Sequence, residues 1–81
     1  MKHNLEVQDI INCIDNDEYV HIEGIDEWNV CKVGENAYEI DVNFEDYTQV
    51  TITLFRDEYF ERRLEKFTQL VNNFWDNDKE D

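Results

Sequence analysis

The last third of the chain carries the pattern that most constrains the fold. From residue 57 to 75, large apolar side chains recur at steps of three and four residues or widen the resulting stripe: Phe60, Leu64, Phe67, Leu70, Val71 and Phe74. This spacing is typical of one face of an amphipathic α-helix. Asp57 and Glu58 would lie in its first turn, where they complement the helix dipole. Such a helix needs an apolar surface to cover its stripe.

Four alternating stretches predict a β-sheet that supplies this surface. They lie at 18–23, 28–33, 38–44 and 49–54, and the third alternates strictly. The side chains predicted to face the helix are the apolar ones, Val20, Ile22, Ile40, Val42, Val50, Ile52 and Leu54. In 28–33 the inward side is ambiguous, because Trp28 and Val30 compete with Cys31 and Val33. Short loops between the stretches favour antiparallel neighbours.

The sequence therefore predicts an α+β fold, a four-stranded antiparallel meander with a short N-terminal and a long C-terminal helix packed on one face. A short amphipathic helix is indicated at about 6–15, which gives the order α-β-β-β-β-α. Residues 1–75 are predicted to form a single domain, and 76–81 an acidic flexible tail. An 81-residue chain has a thin core, so we expect function on an exposed face rather than in a deep pocket.

Acidic residues outnumber basic ones by 21 to 7, and their distribution is uneven. Residues 1–55 hold 13 acids and two lysines, residues 56–75 are balanced, and the tail is acidic again. The hydrophobic fraction of 41% is too high for a disordered chain. Halophilic adaptation also produces acidity, but it would coat the whole surface. The asymmetry instead predicts one negative side that meets a basic partner.

The predicted partner-binding surface consists of acids on the open sheet face and in its loops, with one aromatic residue: Asp15, Asp17, Glu18, Glu23, Asp26, Glu27, Glu39, Asp41, Glu45, Asp46 and Tyr47. Carboxylates two residues apart on a strand lie about 6.6 Å apart, and neighbouring strands about 4.8 Å. This grid resembles the charge spacing of a nucleic-acid backbone. It predicts a DNA mimic that occupies a basic nucleic-acid channel.

Neither a catalytic, a cofactor-binding nor a metal site is expected from the sequence. Asp15 and Asp17 open like a calcium loop, but Val20 stands where the EF-hand requires glycine. The cysteines and histidines do not have zinc-ligand spacing. We therefore expect a binding protein and not an enzyme.

Cys13 and Cys31 are the two cysteines, and we expect buried thiols rather than a disulfide framework. With no signal-peptide pattern and no long apolar run, a cytoplasmic location is expected. The net charge of −14 argues against direct binding to nucleic acid or anionic lipid. A monomer or a homodimer are both compatible with the sequence.

In size, acidity and helix-plus-small-sheet plan, the whole chain resembles phage-encoded DNA-mimic inhibitors, the small anti-CRISPR and anti-restriction proteins. The stretch from Asp9-Ile10-Ile11 to Asp17-Glu18-Tyr19-Val20 has a helix-then-strand opening similar to theirs. The group shares a strategy more than a motif, so no site residue is carried over. The resemblance implies an inhibitor that docks in the DNA-recognition groove of a Cas nuclease or restriction enzyme. The alternative is an acidic module such as an immunity protein or an adaptor for a basic client.

Overall fold

A computed structural model of the chain describes residues 4–79, with side chains described as far as Phe74. Its elements follow the order α-β-β-β-α: α1 (Val7–Asn16), β1 (Ile25–Lys32), β2 (Ala37–Phe44), β3 (Gln49–Phe55) and α2 (Phe60–Lys79). The sheet is antiparallel with the order β1-β2-β3. The α+β class is as predicted, but the four-stranded meander is wrong, because three strands form the sheet.

The predicted first strand, 18–23, is an irregular segment that caps the edge of β1. The backbone N–H of Trp28 donates to the hydroxyl of Tyr19 at 3.1 Å, and its indole N–H donates to the carbonyl of Val20 at 2.9 Å. These two bonds replace a strand ladder. Ile22 is buried as the alternation predicts, whereas Val20 is exposed. The alternation in 18–23 reflects an extended segment that is anchored by the buried side chain of Ile22. This segment does not pair with a neighbouring strand.

The sheet register settles which side of β1 faces the helices. Trp28 lies opposite Val42, and Val30 lies opposite Ile40, so both share the apolar side of β2. Trp28 is completely buried and Cys31 is exposed. Trp28 and Val30 are therefore the side chains of β1 that face the helices. The expectation of two buried thiols is wrong for Cys31.

Both helices cover the inward face of the sheet, with α1 against β1 and α2 against β3. The helix predicted at 57–75 begins later, at Phe60, after a turn in which Asp57 accepts the N–H of Tyr59 at 2.9 Å. Its stripe is buried at the positions that meet the sheet: Phe60, Leu64, Phe67 and Val71. Leu70 is exposed. Within the described residues, no helix is long and apolar enough to span a bilayer.

The backbone of α2 extends to Lys79, so the predicted tail overlaps the end of this helix. The rest of that tail, residues 80 and 81, lies outside the described residues. Its flexibility and the single-domain boundary at 75 stay predictions.

Candidate acidic interaction surface

One end of the sheet, where β1 begins and β2 turns into β3, concentrates exposed carboxylates. We call it the acidic end, and its members are Glu23, Asp26, Glu27, Glu45 and Asp46. Two distant chain segments meet there, because Ile25 lies opposite Phe44 and the Glu45 N–H donates to the carbonyl of Gly24 at 3.4 Å. Six of the predicted partner-binding residues are thereby brought together, since Tyr47 stands at the tip of the same turn.

The turn between β2 and β3 fixes how this tip is presented. The N–H of Phe44 donates to the Thr48 carbonyl at 2.8 Å, and the N–H of Tyr47 donates to the Phe44 carbonyl at 3.0 Å. Asp46 accepts the N–H of Thr48 at 3.0 Å, which is the local bond that aspartate favours in turns. Tyr47 has a left-handed φ of 73° and its side chain is 97% exposed. The turn therefore holds an aromatic ring in solvent beside two carboxylates.

The start of β1 is shaped by a glycine and a bulge. Gly24 has a φ of 91°, a conformation that costs a glycine little because it has no Cβ. The register shifts between Ile25 and Glu27, so Asp26 is an extra residue in the strand. The bulge lets Ile25 and Trp28 share the buried side while Asp26 and Glu27 both stay exposed. Two adjacent carboxylates are thus directed to solvent at one end of the sheet.

The open face of the sheet is less acidic than the alternation predicts. Its successive rows across the strands, beginning at the acidic end, are Glu27–Asn43–Gln49, Asn29–Asp41–Thr51, Cys31–Glu39–Thr53 and Val33–Ala37–Phe55. Asp41 accepts a hydrogen bond from the Thr51 hydroxyl at 2.8 Å. Glu23, which was expected on this surface, lies outside the sheet because its segment is not a strand. The face holds three carboxylates and ends in an apolar row.

Asp15, Asp17 and Glu18 lie at the end of α1, and the structure does not join them to the acidic end. Asp15 accepts two hydrogen bonds from the Arg56 guanidinium, at 2.8 and 2.9 Å. These bonds lower the pKa of Asp15 and raise the pKa of Arg56. Asp17 has a left-handed φ of 58°, and the Glu18 N–H donates to the Asn12 carbonyl at 3.3 Å. The charge of Asp15 is thereby largely compensated within the molecule.

The described basic side chains lie towards the opposite end of the sheet: Lys32, Arg56, Arg62, Arg63 and Lys66. Lys32 is the last residue of β1. Arg62, Arg63 and Lys66 lie in the first two turns of α2. The Arg56 N–H donates to the Asn36 carbonyl at 2.7 Å, which places the start of α2 beside the β1–β2 turn. That end also holds Glu35, Asp57 and Glu58, so its charge is mixed, whereas no described lysine or arginine lies at the acidic end. The charge asymmetry therefore runs along the length of the sheet. Sequence reasoning identified the acids but assigned the asymmetry to two opposite faces.

A shallow depression beside β1 is lined by aromatic, histidine, acidic and amide side chains: Tyr19, His21, Asp26, Glu27 and Asn29. Among residues 4–74, no group of three or more histidine, cysteine or acidic side chains is arranged to hold a metal ion. Comparisons with protein-family models, with curated proteins and with solved structures find no match to this chain.

Proposed function

We propose that this chain is an acidic binding protein that occupies a basic nucleic-acid-binding surface of a partner and blocks it, as a DNA mimic. The observation that supports this function is the acidic end, where five carboxylates from two segments converge. A groove that binds phosphates carries a positive potential, and that potential also attracts clustered carboxylates. The net charge of −14 adds long-range attraction that accelerates encounter with such a groove.

The contact surface that we propose combines the acidic end with the adjoining rows of the open face. Glu39 and Asp41 extend the negative charge along β2, about 6.6 Å apart at the usual rise of a strand. Tyr47, almost fully exposed at the tip of the turn, has the chemistry of an interface anchor. Charge steers the approach of the partner, and the ring provides apolar contact area after docking.

We propose as partner a nucleic-acid-binding enzyme such as a Cas nuclease or a restriction enzyme in the bacterial cytoplasm. This part of the proposal follows the resemblance to phage-type DNA-mimic inhibitors. Inhibition of this kind is stoichiometric, because the acidic protein occupies the groove and performs no chemistry.

The apolar row at the other end of the open face favours a second candidate, an acidic module for a protein client, such as an immunity protein or an adaptor. Phe55 is 62% exposed and Val33 is 54% exposed in this row. A groove built to bind phosphates offers no apolar surface to cover these two side chains. A client that is recognised as a protein can supply such a surface and bury them. The two candidates share a basic partner and differ in whether nucleic acid competes.

The test is capture of partners from a bacterial lysate on the immobilised protein, followed by elution with duplex DNA or with rising salt. The mimic requires that DNA releases the captured protein and that salt weakens its retention. A double variant, Glu27→Lys with Glu45→Lys, should lose the captured protein. Retention that DNA leaves unchanged contradicts the mimic and supports the protein-client module.

A further inference from the structure

The outer edge of β3 presents unpaired backbone groups. Because the Phe44 N–H donates to the Thr48 carbonyl, these two residues form a hydrogen-bonded pair, and such pairs alternate along an antiparallel ladder. The backbone groups of Val50 and Ile52 therefore face β2, and those of Thr51 and Thr53 point away from it. Outside the sheet ladder, no backbone hydrogen bond joins Thr51 or Thr53 to another residue of the described chain.

The two edges of the sheet differ in how far their outward backbone groups are covered. On β1, the outward N–H of Trp28 is occupied by the Tyr19 hydroxyl, and the irregular segment covers that part of the edge. On β3, none of the usual protections is present in the strand itself, whose sequence QVTITLF has no proline and no charged residue. A charge-free, β-branched edge strand stands out in a chain of which 35% is charged.

The described part of the adjoining flank of α2 contributes no carboxylate of its own, and the carboxylate of Asp57, which reaches it, is paired with Arg63 at 3.5 Å. Asn72 bonds to Leu5, so it faces the start of α1. Leu70 lies two residues earlier, about 200° around the helix, on the flank away from α1. Because α2 lies against β3 and α1 against β1, this flank adjoins the outer edge of β3. The residues of the flank are aromatic, aliphatic or basic: Tyr59, Arg63, Lys66, Leu70 and Phe74.

Apolar side chains remain partly uncovered on this side. Val50 and Ile52 are half-buried, although Ile40 and Val42, opposite them in β2, are completely buried. Leu70 is 58% exposed. A strand added beside β3 would cover these groups and pair the free backbone at the same time.

We propose that β3 pairs antiparallel with β3 of a second copy across a two-fold axis, forming a continuous six-stranded sheet. In the register centred on Ile52, the outward groups of Thr51 meet those of Thr53 of the second copy. Threonines then pair on the open face, while Ile52 meets its own symmetry mate on the helix side. The strand is self-complementary in hydrogen bonds, in side chains and in its lack of charge.

Charge selects a second copy as the occupant. Two molecules of net charge −14 approach most easily through a side with little negative charge. β3 has no charged residue, and the charged residues of the described α2 flank are the basic Arg63 and Lys66. An uncharged strand also offers nothing by which a basic partner would be recognised. The dimer leaves both acidic ends exposed, at opposite ends of the joined strands, where two basic sites or one long basic channel can reach them.

The experiment is sedimentation equilibrium of the full chain at low and high salt, with far-UV circular dichroism to verify folding. The wild type should be a dimer that tightens as salt screens repulsion, the reverse of the salt dependence of a basic partner. Thr53→Pro removes an outward N–H and should raise the dimer Kd at least roughly tenfold. Lys32→Pro places proline at an exposed, outward-pointing N–H of β1 and should leave the Kd unchanged.

Amide hydrogen exchange in the wild type tests the edge directly, even if the proline variant does not fold. The amides of Thr51 and Thr53 should exchange more slowly as protein concentration rises, and that of Lys32 should not. A wild type that stays monomeric under all conditions overturns the proposal. A dimer whose Kd is unchanged by Thr53→Pro also overturns it. The same holds if the amides of Thr51 and Thr53 are protected from exchange only when a different protein is added. None of these results decides whether the acidic end binds a basic groove.

Discussion

The side-chain amide of Asn72 holds the backbone of Leu5 through two hydrogen bonds, accepting its N–H at 3.1 Å and donating to its carbonyl at 3.0 Å. Leu5 is completely buried, so the bonds fix an apolar anchor at the start of α1. Asp15, at the other end of α1, bonds to Arg56 just before α2. The two helices therefore run antiparallel, and they are joined at both ends by side chains rather than by apolar packing alone.

Replacing Asn72 by alanine should destabilise the protein by about 1–3 kcal/mol, since two hydrogen bonds are worth roughly 0.5–1.5 kcal/mol each. Asn73→Ala is the matched control, because Asn73 is exposed on the same turn. The free energies of unfolding from urea titrations measure both effects. Equal losses in the two variants would show that the bonds to Leu5 contribute nothing beyond helix propensity.

Removing the hydroxyl of Tyr19 should cost about 1 kcal/mol, because the N–H of Trp28 loses its acceptor. Tyr19→Phe keeps the ring that stacks on Trp28 with centroids 4.9 Å apart, so the change isolates the hydrogen bond. Tyr47→Phe, at a ring exposed to solvent, should have no effect. Thermal unfolding followed by tryptophan fluorescence reports the difference, and indistinguishable transitions for the two variants would refute the role of the hydroxyl.

Local patterns predicted the elements whose partners are adjacent in the sequence. The hairpin of β2 and β3 follows from strict alternation on both sides of a short turn, and the stripe of α2 follows from helical spacing. The segment 18–23 alternates as well, but joining the sheet depends on the edge of β1. At that edge the backbone N–H of Trp28 donates to the hydroxyl of Tyr19 and not to a neighbouring strand. Alternation in the sequence does not encode this side-chain contact.

The acidic end was predictable as a set of residues and not as an arrangement. Glu45 and Asp46 are recognisable in a turn, yet their position next to Glu23 depends on the register that sets Ile25 opposite Phe44. The pairing that compensates the charge of Asp15 depends on an arginine 41 residues away. Neither relation produces a recognisable residue spacing in the sequence. Composition alone therefore assigns all of these acids to one surface and does not separate Asp15 from the acids at the acidic end.

The pair of Asp15 and Arg56 should make part of the stability dependent on pH. Hydrogen bonds from Arg56 lower the pKa of Asp15 below its ordinary value of 3.8, so the folded state favours the ionised carboxylate. The stabilisation is present above that value and is lost as the pH falls through the lowered pKa. Asp15→Asn should therefore lower the Tm at neutral pH, with the difference from wild type vanishing in acid.

Thermal scans across the acid range measure this difference, with Glu18→Gln as the control, since Glu18 is an exposed neighbour at the end of α1. A gap between Asp15→Asn and the wild type that persists unchanged into strong acid would contradict the linkage to this carboxyl.

The two free thiols should react at different rates. Burial and the nearby charge of Asp17 raise the pKa of Cys13, which lowers its thiolate fraction, whereas Cys31 is exposed on the open face. An aromatic disulfide reagent should modify one thiol quickly and the other slowly in the native protein. Cys31→Ser should remove the fast phase, and Cys13→Ser should remove the slow one. A single phase that both variants halve would show that the two thiols are equally accessible.

Reversing charge at the acidic end should weaken binding to a basic partner more than the same reversal on α2. The double variant Glu27→Lys with Glu45→Lys alters the acidic end, and Glu61→Lys with Glu65→Lys changes the net charge by the same amount on an exposed helix. With a partner captured from the lysate, the first should slow association at low salt roughly tenfold more than the second, because local potential governs encounter.

Polylysine supplies the reference for this comparison, because a flexible polycation responds to total charge and should bind both double variants alike. The difference seen with the captured partner should shrink as salt screens the charges. Equal slowing of both variants by that partner would mean that net charge alone drives binding. The convergence of carboxylates at one end of the sheet would then have no functional role.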